Sequence, residues 1–204
     1  VAESAGVAAQ GARRFDEADR ALGDALDRYR AIGERRRTAW LLGTLGQCAF
    51  QSARYDRADS LYQLALAARR ALPDLRMSGA SLNALGSTNY LRGRYAEARG
   101  YFEAARAVRE QTGERAALGQ TLNFLGLALN SMGQSDSARI AFDQSLEIAV
   151  SQGDSARALT AMSNLHSVLV SSGDFAAAEA LAARAIPLAR SLNDAASLRT
   201  LHHN

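Results

Sequence analysis

The chain has 204 residues, 48% hydrophobic, 22% charged and 6% aromatic, with only 2 prolines, a composition that excludes collagen and disorder and suits one or two folded domains. The formal net charge of +3 rests on arginine alone, because the sequence has no lysine. Those arginines are interleaved with Asp and Glu as on solvated helix faces, so nucleic-acid binding is not expected despite the Arg35-Arg36-Arg37 run.

No stretch approaches the roughly 18 to 20 apolar residues of a membrane-spanning helix, and the start lacks a basic-then-apolar leader, so no membrane insertion is expected. The lone cysteine, Cys48, makes no internal disulfide, so nothing demands an oxidising compartment. From the start at Val1 rather than Met, a fragment or processed piece of a longer polypeptide is expected. Alanine is abundant while Val, Ile and Thr are scarce, which favours helix over strand and predicts an all-α chain.

In chain order, the first unit (residues 1–33) opens on an apolar helix with Val1, Ala5, Val7 and Ala8. A second helix follows, marked by Phe15, Ala18, Leu22 and Ala25, whose offsets of three, seven and ten share one helix face. The second unit (34–73) has a stripe of Leu42, Leu45 and Gly46, then Tyr55, Ala58, Tyr62 and Ala65. The third (74–113) repeats it with Leu82, Leu85 and Gly86, then Tyr95, Ala98, Phe102 and Ala105. The fourth (114–153) has Leu122, Leu125 and Gly126, then Ser135, Ala138, Phe142 and Ser145. The fifth (154–193) has Met162, Leu165 and His166, then Phe175, Ala178 and Ala185, and a partial sixth covers 194–204. A forty-residue period is therefore expected to run through a single array of helical hairpins.

Breakers fall between the stripes. Gly93, Gly133 and Gly173 divide units into two helices, and Gly33, Pro73, Gly113, Gly153 and Asn193 separate units. Each of the latter precedes an acid, Glu34, Asp74, Glu114, Asp154 or Asp194, placed to cap or electrostatically favour the next helix. Two positions break the pattern. Pro187 is expected to kink or shorten the second helix of unit five. His166 stands where other units have glycine, and Ala182 stands where they have Leu22, Tyr62, Phe102 or Phe142, so a volume exchange between the two is expected.

These positions resemble the tetratricopeptide repeat family: a large residue, Leu-Gly, then small, aromatic and small residues on a second helix. The period is similar to the longer variety found in kinesin light chains, polarity adaptors and bacterial sensor or regulator proteins. The family's proline near the end of the second helix is absent, with Arg30, Arg70, Glu110, Val150 and Arg190 in its place. The resemblance implies an all-α, right-handed superhelical solenoid of antiparallel helix pairs, about five repeats plus a partial sixth, whose first helices line a concave face. It also implies a protein-interaction module.

Carried over by register, that face offers Trp40, Gln47, Phe50 and Gln51 in the second unit, and Asn83, Ser87 and Tyr90 in the third. The fourth offers Gln120, Asn123, Phe124, Leu127 and Asn130, and the fifth Ser163, Asn164 and Ser167. Amides and hydroxyls dominate and charges are absent, which excludes a carboxylate clamp built from Lys and Arg. Asn83, Asn123 and Asn164 are similar to the asparagine ladder with which some relatives grip a peptide main chain, since an amide both donates and accepts. The alternative for each is a bond to a neighbouring helix. Phe50, Tyr90 and Phe124 serve either as anchors for a partner or as packing.

Catalysis lacks its parts. The histidines are His166, His202 and His203, there is no HExxH and no paired cysteine, and no strand leads into a glycine-rich loop. No metal, cofactor or enzymatic activity is expected. The expected partner is a protein or extended peptide in the groove; the alternative is a scaffold that holds subunits or flanking domains, with self-association through the ends of the array.

Overall fold

The computed structural model describes residues 2–73 and 75–202. The expectations on Val1, Asp74 and His203 lie outside the described residues. Every regular element among them is an α-helix: α1 (Ala2–Gly11), α2 (Phe15–Ala31), α3 (Arg35–Gln51), α4 (Tyr55–Arg70), α5 (Arg76–Leu91), α6 (Tyr95–Thr112), α7 (Arg115–Ser131), α8 (Ser135–Ser151), α9 (Ser155–Ser171), α10 (Phe175–Ser191) and α11 (Ala195–His202). The chain divides into two compact units, one running to Val108 and one starting at Arg109. In the first, α1 to α5 pack consecutively and α3 also touches α5. In the second, α7 to α11 pack consecutively, α7 also touches α9, and α9 touches α11.

In the first four hairpins a glycine of the first helix allows close approach. A Cβ on Gly86 would come within 2.4 Å of the Phe102 ring, and one on Gly126 within 2.6 Å of Phe142. Gly46 meets Tyr62 at 2.7 Å and Gly6 meets Leu22 at 2.6 Å in the same manner. Each pair is sixteen residues apart, so one side chain of the second helix fills the notch left by the glycine of the first. Phe102 and Phe142 are each 1% exposed and Leu22 is fully buried, which makes these notches the centre of the core. Forty residues beyond Gly126 and Phe142 stand His166, 3% exposed, and Ala182, 8% exposed. A large residue has moved from α10 to α9, and both positions stay buried.

The turns obey a twenty-residue rhythm. Arg13, Gly33, Ala53, Gly93, Gly113, Gly133, Gly153, Gly173 and Asn193 all have φ between 53° and 81°, the left-handed conformation that ends a helix. Pro73, whose ring forbids that conformation, is the exception: α4 stops at Arg70 and α5 begins late, with Leu75 at its N-cap already helical at φ −68°.

The acids before the helices divide between those that cap by a hydrogen bond and those that do not. Asp154 accepts from the Arg157 N–H at 3.0 Å, and Asp194 from the N–H groups of Ala196 and Ser197, both at 3.0 Å. Glu34 and Glu114 make no side-chain cap bond. Their extra methylene carries the carboxylate past the helix end, and Glu114 accepts instead from the Thr112 hydroxyl at 3.0 Å. Asp174, inside unit five, caps α10 through the Ala177 N–H at 3.2 Å.

Pro187 does not shorten its helix. α10 runs 17 residues to Ser191, the same length as α8. Pro187 and Ala183, whose carbonyl loses its donor, are both exposed, so the break lies on the solvent side of the helix.

Arginines tie successive hairpins together. At the end of α4, Arg69 Nη1 donates to the Met77 carbonyl at 3.1 Å and to Ser81 Oγ at 2.7 Å. Forty residues on, Arg109 Nη1 donates to the Ala117 carbonyl and Thr121 Oγ1. The same register position holds Tyr29 in the first hairpin, where the hydroxyl donates back to Glu3 of α1 at 2.9 Å.

Candidate functional site

In the first unit, Gln47 and Gln51 are exposed at the end of α3. Phe50 between them is half-buried and meets Tyr55 edge-on, with ring centroids 5.8 Å apart. Tyr90 repeats the contact with Tyr95 at 5.4 Å. Both rings therefore have an aromatic partner across the turn that follows them, a packing role repeated with the period. Val7, Gln10, Gly11 and Arg13 join Phe50 and Gln51 around a cleft of about 510 Å³. Ser87 is half-buried, and Asn83 is only 8% exposed, its Oδ1 unpaired among the described residues. Trp40 packs against the core formed by α1 to α4.

In the second unit the amides converge. Asn164 Nδ2 donates to Asn123 Oδ1 at 2.9 Å, joining α9 to α7. The pair is not an even ladder, because Asn123 shares its register with Asn83 and Ser163, while Asn164 lies one position further. Ser163 is 8% exposed, its Oγ unpaired among the described residues. Leu127 is half-buried, whereas Gln120, Asn130 and Ser167 are exposed.

A cleft of about 210 Å³ opens beside this pair, lined by Gln120, Asn123, Phe124, Ser145, Arg157 and Thr160. Ser145 Oγ donates across to the Gly119 carbonyl at 2.8 Å and so fixes one wall. Arg157 adds a charge beside the positions carried over by register. It stands on the first turn of α9, three residues before Thr160, and its guanidinium pairs with Asp154. The Arg157 N–H and guanidinium together hold the Asp154 carboxyl below the usual carboxylate range. The signal for Arg157 was one helical turn upstream of the positions carried over by register.

The site's chemistry is recognition by hydrogen bonds. With Asn123 Oδ1 and Asn164 Nδ2 joined, the Asn123 amide N–H groups and the Asn164 carbonyl are left outside that bond as one donor set and one acceptor. Cys48 is fully buried and its thiol is pushed up to about 11 by desolvation, which removes it as a nucleophile at neutral pH. Among the described residues no group of three or more His, Cys, Asp or Glu is placed to hold a metal ion. No described helix is long and apolar enough to cross a membrane.

No curated protein matches the sequence. Solved structures do match in fold. BtubC (BKLC) from P. vanneervenii superposes with a TM-score of 0.85 at 22% identity, over 93% of this chain and 78% of its own. The tetratricopeptide-like repeats of a Podosopora anserina putative kinesin light chain give 0.79 at 16% identity, over 94% of each chain. A Rap protein complexed with competence and sporulation factor gives 0.70 at 20% identity, over 98% of this chain and 60% of its own. The tetratricopeptide repeat model matches residues 2–71, 77–151 and 118–191. The helix pairs, the glycine notches and this match across nearly the whole sequence lead to one assignment: the chain belongs to the tetratricopeptide repeat family.

Proposed function

We propose that the chain is a non-catalytic protein-interaction module in which the face of α7 and α9 holds an extended peptide or protein segment by its main chain. The observation that carries this reading is the Asn123–Asn164 bond, which ties the two side chains together and leaves the Asn123 amide N–H groups and the Asn164 carbonyl outside it. A peptide unit presents the complementary N–H and C=O whatever its side chain. The Rap protein solved with competence and sporulation factor supports the reading by analogy of fold. The end of α3, with Gln47, Phe50 and Gln51, and the α5 residues Ser87 and Tyr90 are proposed as further contacts of the same kind.

The test is a titration of isotope-labelled protein with a capped alanine pentapeptide, followed through the side-chain amide signals of Asn123 and Asn164. Saturable shifts of those signals, abolished in Asn123→Ala/Asn164→Ala, are the expected result. Each lost main-chain bond is worth about 0.5–1.5 kcal/mol. Unchanged signals at millimolar peptide refute the main-chain site and leave a scaffold role. Asn83 stays out of this test because it is buried and its replacement changes packing as well.

A further inference from the structure

The edge of the first unit where α3 and α5 begin departs from a rule that the opposite edge obeys. Packed helices that follow one another run in opposite directions, so alternate turns share an edge. Glu3 at the start of α1 meets Tyr29 at the end of α2 and Arg37 at the start of α3, which brings those three ends together. Arg69 at the end of α4 reaches Met77 and Ser81 of α5 in the same way. Helices that start on the opposite edge carry acids in their first turn, Asp16 and Glu17 in α2 and Asp56 in α4, as the positive end of a helix dipole favours. α3 carries Arg35, Arg36 and Arg37 there and α5 carries Arg76, with no acid in either first turn. A positive charge at a helix start costs stability, so folding does not account for these arginines.

Pairing separates the two edges as well. On the opposite edge Arg14 meets Glu17 at 2.8 Å, Arg54 and Arg57 meet Asp19 at 2.8 and 2.7 Å, and Arg92 meets Asp56. On this edge Arg37 meets Glu3 at 2.8 Å and Arg30 lies 3.8 Å from Asp27. Arg28, Arg35 and Arg36 are exposed and form no ion pair among the described residues. Between them in the α2–α3 turn Ile32 is 71% exposed, and in the α4–α5 turn Leu75 is 41% exposed between Arg70 and Arg76. Both turns set an aliphatic side chain among arginines. Such a tip gains nothing from a nucleic-acid backbone, and the nearby rings that could stack on bases are engaged, Tyr29 on Glu3 and Trp40 against the core. A bilayer interface suits both components, because the acyl boundary takes the aliphatic groups and anionic headgroups take the guanidinium groups.

We propose that this edge, formed by the α2–α3 and α4–α5 turns, docks on the surface of a membrane that carries anionic lipid. The contact is superficial, since no described helix is long and apolar enough to cross a membrane. It does not rest on the peptide reading, whose central residues, Asn123 and Asn164, belong to the second unit.

The test is co-sedimentation of the full chain with vesicles of phosphatidylcholine, alone or with about 30% phosphatidylserine. Binding is expected only with phosphatidylserine and should weaken as salt is raised. Arg28→Gln/Arg35→Gln/Arg36→Gln should lower the partition coefficient about a hundredfold, at roughly a factor of five for each arginine. The same variant should unfold no earlier than the parent, because two of the three charges it removes oppose the α3 dipole, and this separates lost binding from a lost fold. Ile32→Ser should weaken binding and leave its salt dependence unchanged. Arg13→Gln/Arg14→Gln/Arg94→Gln removes the same charge from the opposite edge and should bind like the parent. Absence of sedimentation with either vesicle overturns the proposal. An equal loss in the two triple variants also overturns it, since net charge and not this edge would then be responsible. Capture of polyglutamate or of a short DNA duplex, without vesicle binding, overturns it too and assigns the edge to an acidic protein or a nucleic acid.

Discussion

His166 is a buried imidazole in a slot built for glycine, with a methyl group where the other hairpins carry Leu22, Tyr62, Phe102 or Phe142. If the two sites share one volume, His166→Gly leaves a cavity and Ala182→Phe overpacks, costing about 1–3 kcal/mol each, while the pair restores the packing of Gly126 on Phe142. A double-mutant cycle by urea denaturation should show recovery in the pair; strictly additive losses would separate the sites. The same burial pushes the His166 pKa below the ordinary imidazole value, with desolvation as the cause. A folded pKa below the unfolded one means that the unfolded chain binds the proton first. Stability is therefore full above about 6.5 and is lost as pH falls from there toward the folded value. Urea midpoints at pH 7.5 and 5.5 should differ less in His166→Gly/Ala182→Phe than in the parent chain. Ala53 is a second residue-scale case, held at φ 57° where its counterparts Gly93, Gly133 and Gly173 sit without strain. Its side chain is exposed, so Ala53→Gly should raise stability by about 0.5–1 kcal/mol, measured in the same denaturation assay.

For whole helices, caps and proline decide how firmly each one starts and ends. α9 and α11 begin with aspartates whose carboxylates take backbone N–H groups, and α10 begins with Asp174 in the same role. α3 and α7 begin with glutamates that take none. Asp154→Ala should therefore lower thermal stability while Glu34→Ala leaves it nearly unchanged. Bonds from the Arg157 and Ser197 N–H groups hold the Asp154 and Asp194 carboxyls below their ordinary 3.8. Their contribution is present above that value and disappears as pH falls through the lowered one, well below the window of His166. In α10, Pro187 leaves the Ala183 carbonyl to solvent without ending the helix. Pro187→Ala returns the N–H and should stabilise α10 by up to about 3 kcal/mol, seen as slower amide exchange around residue 187.

At the scale of the whole chain, what was legible in the sequence is what the period repeats. Glycine, aromatic and small residues recur every forty positions because each hairpin solves the same packing problem, so the helices and the Gly86–Phe102 type of contact were readable in advance. What escaped is what one side chain does across hairpins. Asn123 and Asn164 were singled out as binding residues, but that they bond each other depends on where α7 and α9 meet. Arg69 and Arg109 read as ordinary surface arginines, since nothing local says that a guanidinium turns inward to the next hairpin. Those arginines carry the last prediction. Burial lowers the pKa of both, and no carboxylate forms an ion pair with either among the described residues. They stay charged because an arginine cannot shed its proton under ordinary conditions, and the carbonyl and hydroxyl acceptors compensate part of the desolvation. Arg69→Ala strips Ser81 Oγ and the Met77 carbonyl of their donor and opens a void against Gly43, a loss of about 1–3 kcal/mol. In a repeat array such a loss acts on one interface between neighbours, so hydrogen exchange should quicken in α4 and α5 first. Arg69→Met keeps the volume and removes the charge. If the bonds hold the hairpins together, Arg69→Met loses protection as Arg69→Ala does; if packing alone matters, it retains the parent's protection.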